Sequence, residues 1–112
     1  MASSKRIVVT LPTFTRNTAV KEIQRLAQEE TERVHVLDHA HMRMIEREIT
    51  LRQVLKVLRH GDLVTGPEWS TEGEEGWKCN FRRITAGESI EVVAKLIERD
   101  GVRCLIVTAY RR

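Results

Sequence analysis

Three cationic side chains, His39, Arg43 and Arg47, recur one helical turn apart in the segment DHAHMRMIEREIT. Residues at i, i+4 and i+8 of an α-helix lie above one another on one face, so these three would address the same ligand. A guanidinium fork binds phosphate, and an imidazole one turn away exchanges a proton near neutral pH. The spacing is therefore compatible with phosphate chemistry. The alternative is a solvated helix with weak Arg–Glu surface pairs, which is a common arrangement.

The next segment carries a second basic series, Arg52, Lys56 and Arg59, at i, i+4 and i+7. These residues lie opposite the apolar side of the predicted helix and form a basic stripe suited to a polyanion. The alternative is an ordinary polar outer face, which any surface helix must present.

Further candidate residues lie in the C-terminal half, where strands are predicted. Arg82 and Arg83 are adjacent in an alternating segment, so they point to opposite faces and only one can join a given site. Tyr110 and Arg111 end the last strand, where a tyrosine stacks on a base and an arginine holds phosphate. Alternatively, Tyr110 caps the core and the terminal arginines only solubilise the chain.

Composition limits the class of protein. The chain has 112 residues, 41% of them hydrophobic and 31% charged, which predicts a single folded domain over 1–112. Its formal charge of +3 allows a nucleic-acid partner without requiring one. No motif for a metal or cofactor is present, so we expect neither, and no apolar run is long enough for a membrane span. We expect a cytoplasmic protein in which Cys79 and Cys104 are buried reduced thiols.

Apolar spacing predicts helices at 16–31, 39–47 and 50–60. Asp38 would cap the second helix, and Thr50 with Gln53 forms a capping box for the third. We expect the third helix to end at Gly61 in a left-handed conformation. Its predicted core face consists of Leu51, Val54, Leu55 and Leu58.

Alternating patterns predict antiparallel strands at 62–69, 77–84, 89–98 and 102–110, with an Asp100-Gly101 hairpin turn between the last two. The acidic stretch 66–76 has loop composition, and Trp69 and Trp77 would anchor it against the core. Two shorter segments have patterns of their own. Residues 5–11 are predicted to form a short strand, and RVHVL at 33–37 is predicted to be either a strand or a linker. Helices followed by a meander predict an α+β fold.

The string HAHMRMIEREITLRQVLKVLRHGDLVTGPEW, followed by GWKCNFRRITAG and a Val-rich hairpin, resembles the family called domain of unknown function 4258 (DUF4258). The resemblance covers about Arg16 to the C-terminus. It is carried by these positions: His39, Ala40, Arg43, Met44, Arg47, Gly61, Gly66, Pro67, Trp77, Arg83, Ala86 and Gly87.

In element order the family is similar to bacterial RelE/ParE-type toxins. That similarity implies N-terminal helices (16–60, after an arm or strand at 1–15) on a curved, mainly antiparallel four-stranded sheet (62–112). It also implies a metal-independent endoribonuclease of toxin–antitoxin type, with RNA as substrate and an antitoxin as protein partner. His39 would then be the acid or base, Arg43 and Arg47 phosphate clamps, and Arg83 or Tyr110 transition-state support. Arg52, Lys56, Arg59, Arg82 and Arg111 would bind nucleic acid. The alternative is a non-catalytic nucleic-acid-binding or protein-interaction module from a mobile element.

Overall fold

The computed structural model describes residues 11–85 and 87–111 of the chain. Its three α-helices all precede the long strands: α1 (Arg16–Glu29), α2 (Asp38–Glu46) and α3 (Leu51–His60). A short strand, β1 (Val34–Val36), lies between α1 and α2. The remaining strands follow α3, namely β2 (Asp62–Ser70), β3 (Gly76–Thr85), β4 (Glu88–Arg99) and β5 (Val102–Arg111). This order confirms the predicted α+β class.

The five described strands form one open, mixed sheet in the order β1-β5-β4-β3-β2. Strands β2 to β5 pair antiparallel with their neighbours in sequence, as their alternating patterns predicted. The turn between β4 and β5 has φ of 51° at Asp100 and 77° at Gly101. Two successive positive φ angles characterise the type I′ hairpin turn that the Asp-Gly pair predicted.

The core lies between one face of the sheet and the pair α1 and α3. In β3 and β4 every second residue is buried and apolar, at Cys79 and Phe81 and at Ile90, Val92, Ala94 and Leu96, so one side of each strand faces the helices. Cys79 lies in this layer, where burial raises the pKa of its thiol to about 12. The largest fully buried side chains on the helix-facing side include Phe81, Ile90, Val92, Leu96, Leu105, Ile23, Leu26, Val54 and Leu58.

Trp69 and Trp77 pack edge to face beside the turn between β2 and β3, with ring centroids 5.7 Å apart. The indole Nε1 of Trp77 donates a 2.7 Å hydrogen bond to the carbonyl of Leu11, which begins a short 3-10 turn, Leu11–Thr13. Both rings pack against the core, as predicted. The connection itself is shorter than predicted, because β2 continues through Gly66 and Pro67 and leaves only 71–75 between the strands.

The structure corrects the predicted ends of two helices. Helix α2 starts at Asp38, with Leu37 at the N-cap and no side-chain cap, so the predicted capping by Asp38 is wrong. The chain enters α2 directly from β1, where Leu37 N donates to Val107 O, and the helix therefore begins one residue early. Gly61 ends α3 as predicted, but its φ is −74° and not left-handed. Glycine is needed there because a Cβ would lie 2.5 Å from Val57 O.

Other corrections concern the sheet and the apolar face of α3. The sheet has five strands and not four, because Val34–Val36 pairs in parallel with 105–107 of β5. Leu51 does not join the core: it is the first residue of α3 and is 48% exposed, whereas Val57 is fully buried. The Thr50 capping box of α3 is confirmed. Most of the strand predicted at 5–11 lies outside the described residues, as does Arg112.

Candidate functional site

Helix α2 presents its predicted site residues to solvent. It packs on β5 through Ala40 and Met44, which are buried, and this contact leaves His39 and Arg43 exposed. Neither side chain forms a hydrogen bond or ion pair within 11–85 and 87–111. The imidazole and the guanidinium therefore project one turn apart from the same exposed side of α2, as their spacing predicted.

Arg47 lies beyond the last turn of α2. It is the C-cap residue, with φ −101° and ψ 6°, and its backbone N–H donates to Arg43 O at 3.0 Å. The side chain of Arg47 is exposed, and it has an interaction partner of its own. The structure thus places His39 and Arg43 on one face of α2, and it places Arg47 just after the helix ends.

Helix α3 carries the second basic series. Arg52 and Lys56 are exposed on its outer side, and Arg59 is half-buried in its last turn. Among the residues that the structure describes, the buried Nε atom of Arg59 has no hydrogen-bond partner. A buried donor without an acceptor is costly, and this Nε atom is too enclosed for a ligand to reach it.

Strand register separates the arginines of β3. Arg82 is opposite Glu91 of β4, which in turn is opposite Tyr110 of β5. Arg83 belongs to the neighbouring row, opposite Ile90 and then Arg111. Adjacent rows of a pleated sheet face opposite sides, so Arg82 and Arg83 point to different faces, as their adjacency predicted. The side chains of Tyr110 and Arg111 lie outside the described part of the structure.

The structure also shows a trough on the sheet face opposite α1 and α3. Two adjoining depressions, of about 350 and 470 Å³, share Lys78, Val93 and Thr108 in their lining. The first extends towards the 71–75 connection and is also lined by Lys95 and Ile106. The second extends towards β2 and is also lined by Thr65, Glu68 and Asn80. We call this combined depression the trough.

A buried carboxylate lies on the same sheet face as the trough. Glu91 is only 6% exposed, and Asn80 Nδ2 donates a 2.8 Å hydrogen bond to its Oε2 atom. Sequence reasoning missed Lys78, Lys95, Asn80 and Glu91 as site residues. The signal was present in WKCNFRRI, where Lys78, Asn80 and Arg82 alternate with apolar residues. Only Arg82 of this row was predicted to belong to a site.

The described residues lack the features of a metal site and of a membrane-spanning helix. No group of three His, Cys, Asp or Glu side chains in 11–85 and 87–111 is placed to hold a metal ion. None of the helices in the same residues combines the length and the apolar character that a membrane crossing requires.

Comparison with known proteins identifies the family. The chain belongs to the family described as domain of unknown function 4258 (DUF4258), whose model matches residues 36–111. This range contains the exposed pair of α2, the basic stripe of α3 and all four antiparallel strands, and it leaves α1 outside. No curated protein and no solved structure matches the chain. The resemblance to DUF4258 is therefore confirmed, but it begins at residue 36 and not at about Arg16 as expected. The relation to RelE/ParE toxins stays a prediction.

Proposed function

We propose that this member of the DUF4258 family binds RNA through cations on α2 and α3. The cations are His39 when protonated, together with Arg43, Arg52, Lys56 and Arg59. The observation that carries the proposal is that the four permanent charges form no ion pair within the described residues. Unneutralised arginines and lysines on two consecutive helices supply the positive charge that a phosphate backbone requires.

Several arginines outside α2 and α3 are paired with glutamates. Arg25, Arg33, Arg99 and Arg103 each lie within 3.3 Å of a glutamate carboxylate. The acidic residues of α1 and of the 71–75 connection thus neutralise their own neighbours. Helix α3 carries Arg52, Lys56 and Arg59 and no acidic residue, whereas Arg43 of α2 shares its helix with Asp38 and Glu46. The excess of positive charge therefore lies mainly on α3, and this charge supports a polyanion ligand.

The setting of the proposed activity follows from the resemblance in element order to RelE/ParE-type toxins. We include in the proposal a bacterial, cytoplasmic toxin–antitoxin context in which a cognate antitoxin is the protein partner. Support for this part is the family assignment together with helices placed before an antiparallel meander. Fold likeness alone does not fix an activity, so the RNA-binding test below is independent of it.

The test is RNA binding as a function of salt. A fluorescein-labelled single-stranded RNA is titrated with the protein from 50 to 300 mM KCl, and anisotropy gives the dissociation constant. For a single strand, each phosphate contact contributes about −0.7 to the slope of log K against log [salt]. The triple variant Arg43→Gln/Arg52→Gln/Lys56→Gln should bind more weakly, and its salt slope should be shallower by about 2.

A matched control removes the same type of charge from a paired site. Arg33→Gln and Arg99→Gln each delete one arginine that is already neutralised by a glutamate, and both should leave the salt slope unchanged. Affinity that does not change with salt, or an equal loss in both sets of variants, would contradict RNA binding by α2 and α3.

A second candidate function is metal-independent RNA cleavage. The observation that favours it is the exposed His39 imidazole one turn from the exposed Arg43 guanidinium on α2. His39 can transfer a proton while Arg43 binds the phosphate whose P–O bond is cleaved. Cleavage would require RNA binding first, so it adds to the main proposal and does not replace it.

A further inference from the structure

The trough contains two lysines that face each other directly. Lys78 of β3 and Lys95 of β4 are register partners on the face opposite α1 and α3, and both are half-buried. Like charges at directly opposed positions of neighbouring strands destabilise a sheet. Such a pair is favourable only when something nearby compensates its charge.

The protein itself compensates this pair incompletely. Lys95 Nζ donates to the backbone carbonyl of Glu72, which is a neutral acceptor, and the nearby carboxylate of Glu74 interacts with the Lys95 charge but is hydrogen-bonded to Arg99. Lys78 has no hydrogen bond or ion pair to any residue in 11–85 and 87–111, although Glu68 is its register partner on β2. The two ammonium groups therefore keep several N–H donors for a ligand.

Three glutamates, Glu68, Glu72 and Glu74, also line the trough. Glu74 accepts two hydrogen bonds from Arg99, at 2.7 and 2.8 Å, and these bonds hold the pKa of its carboxyl below the usual range. Glu68 and Glu72 are exposed, whereas the lysine side chains are half-buried. An anion that reaches the trough would meet the lysines in a partly dehydrated setting, where charge pairing is stronger than in water.

The rest of the lining suits a flat organic group and not a bare ion. Val93 and Ile106 provide apolar surface beside the lysines, and Thr108 and Asn80 provide polar groups at its edge. Depressions of about 350 and 470 Å³ fall within the size range of small-molecule sites, which combine apolar walls with a few polar groups. An anionic group attached to a ring system matches this combination.

We propose that the trough binds one nucleotide unit, with its phosphate between Lys78 and Lys95 and its sugar and base over Val93 and Ile106. The inference rests on the proposed RNA binding and adds a site separate from the cations of α2 and α3. The unit is either a free mononucleotide or one residue of an RNA strand. The phosphate contact is the same in both cases, and the experiment separates them.

The experiment titrates the full chain with uridine 5′-monophosphate, with uridine and with inorganic phosphate, using amide chemical shifts to obtain affinities. Uridine monophosphate should bind more tightly than either fragment and should shift amides of β3, β4 and β5. Lys78→Gln and Lys95→Gln should each weaken it roughly tenfold, because each removes a charged hydrogen-bond donor to phosphate. Lys21→Gln, which removes an exposed lysine from α1, should leave the affinity unchanged.

RNA anisotropy on the same variants identifies the source of the nucleotide. If Lys78→Gln weakens both uridine monophosphate and single-stranded RNA, an RNA residue occupies the trough. If it weakens only uridine monophosphate, the trough takes a free nucleotide. The trough proposal is overturned if uridine monophosphate does not bind, if uridine binds equally well, or if the lysine variants bind like the parent. None of these results bears on RNA binding by α2 and α3. That proposal is overturned separately, if neither salt nor the helix variants change the affinity for RNA.

Discussion

Glu22 of α1 and Arg103 of β5, 81 positions apart in sequence, are joined by a 3.3 Å contact between Oε2 and Nη1. The same carboxylate accepts two hydrogen bonds from Arg25, at 2.9 and 3.0 Å. The Arg103 guanidinium also lies over the Phe14 ring, 5.0 Å from its centroid. This network ties α1 to the sheet and uses arginine charge for stability, in contrast to the unpaired arginines of α2 and α3.

Glu22→Gln should lower the free energy of unfolding at pH 7. It should also make that free energy less dependent on pH in the acid range. Burial of the Glu22 carboxyl acts to raise its pKa, and the hydrogen bonds from Arg25 and Arg103 outweigh that effect, so the pKa is lowered. A lowered folded-state pKa gives stability that is present above the unfolded pKa and is lost as pH falls through the folded value. At pH 7 the variant should lose about 1–3 kcal/mol in urea unfolding.

The pH dependence distinguishes this network from simple packing. Between pH 6 and pH 3 the free energy of unfolding of the parent should fall more steeply than that of Glu22→Gln. Glu29→Gln is the control, because this exposed residue of α1 contacts Arg25 only at 3.6 Å. Parallel pH profiles for the parent and Glu22→Gln would show that the carboxylate charge contributes nothing.

Glu48→Gly should stabilise the protein. Glu48 follows the C-cap of α2 with φ +56°, and the N–H groups of Glu48 and Ile49 donate to Ile45 and Met44. This is a Schellman motif, in which glycine normally occupies the left-handed position. Relief of the strain should exceed the added chain entropy and give about 0.5–1 kcal/mol in urea unfolding.

Glu46→Gly, two residues earlier, should have the opposite effect and lower the stability of the protein. It removes the same charge from the last residue of α2, where the backbone is helical, so it should destabilise by up to about 1 kcal/mol. Equal effects at positions 46 and 48 would show that the left-handed conformation at Glu48 does not control stability.

Gly76→Ala should be far more harmful than Gly73→Ala. A Cβ at Gly76 would collide with the carbonyl of Leu96 in β4, whereas nothing lies within 4 Å of a Cβ at Gly73. Overpacking against backbone costs about 2–3 kcal/mol, and an alanine at the φ of +64° of Gly73 costs about 1 kcal/mol. Thermal and urea unfolding of both variants test this order, and a larger loss at Gly73 would contradict the close β3–β4 approach.

Local patterns predicted most of the fold because their causes are local. The i, i+1, i+4 spacing of Val54, Leu55 and Leu58 and the Thr50 capping box defined α3 within one residue. The Asp100-Gly101 pair fixed the last hairpin, because the left-handed backbone at both positions selects one turn type. Alternation placed four strands within about two residues of their observed ends.

The missed features depend on contacts between distant segments. Val34–Val36 is too short to be assigned by pattern, and only its parallel pairing with β5 makes it a strand. The exposed side of α2 also required the structure, since its apolar residues are spread around the helix and only Ala40 and Met44 meet β5. Likewise, the trough forms from residues of β2 to β5, and no single segment could reveal the opposed Lys78 and Lys95.

The catalytic candidate makes the most exacting prediction. If the protein cleaves RNA at α2, His39→Ala should lower the single-turnover rate by roughly 10²- to 10⁴-fold, because it removes proton transfer. Arg43→Lys should also impair cleavage, since an ammonium cannot replace a bidentate guanidinium on phosphate. His39 and Arg43 are both exposed, so each variant should keep the melting temperature of the parent.

His41→Ala is the matched control for this experiment. His41 is also an exposed histidine of α2, but it lies two residues from His39 and therefore on a different helical face. His41→Ala should still cleave RNA, whereas His39→Ala should not. Equal cleavage by the parent and His39→Ala would place the chemistry elsewhere. If purified parent protein binds RNA with the expected salt slope and leaves it intact, the function is binding without cleavage.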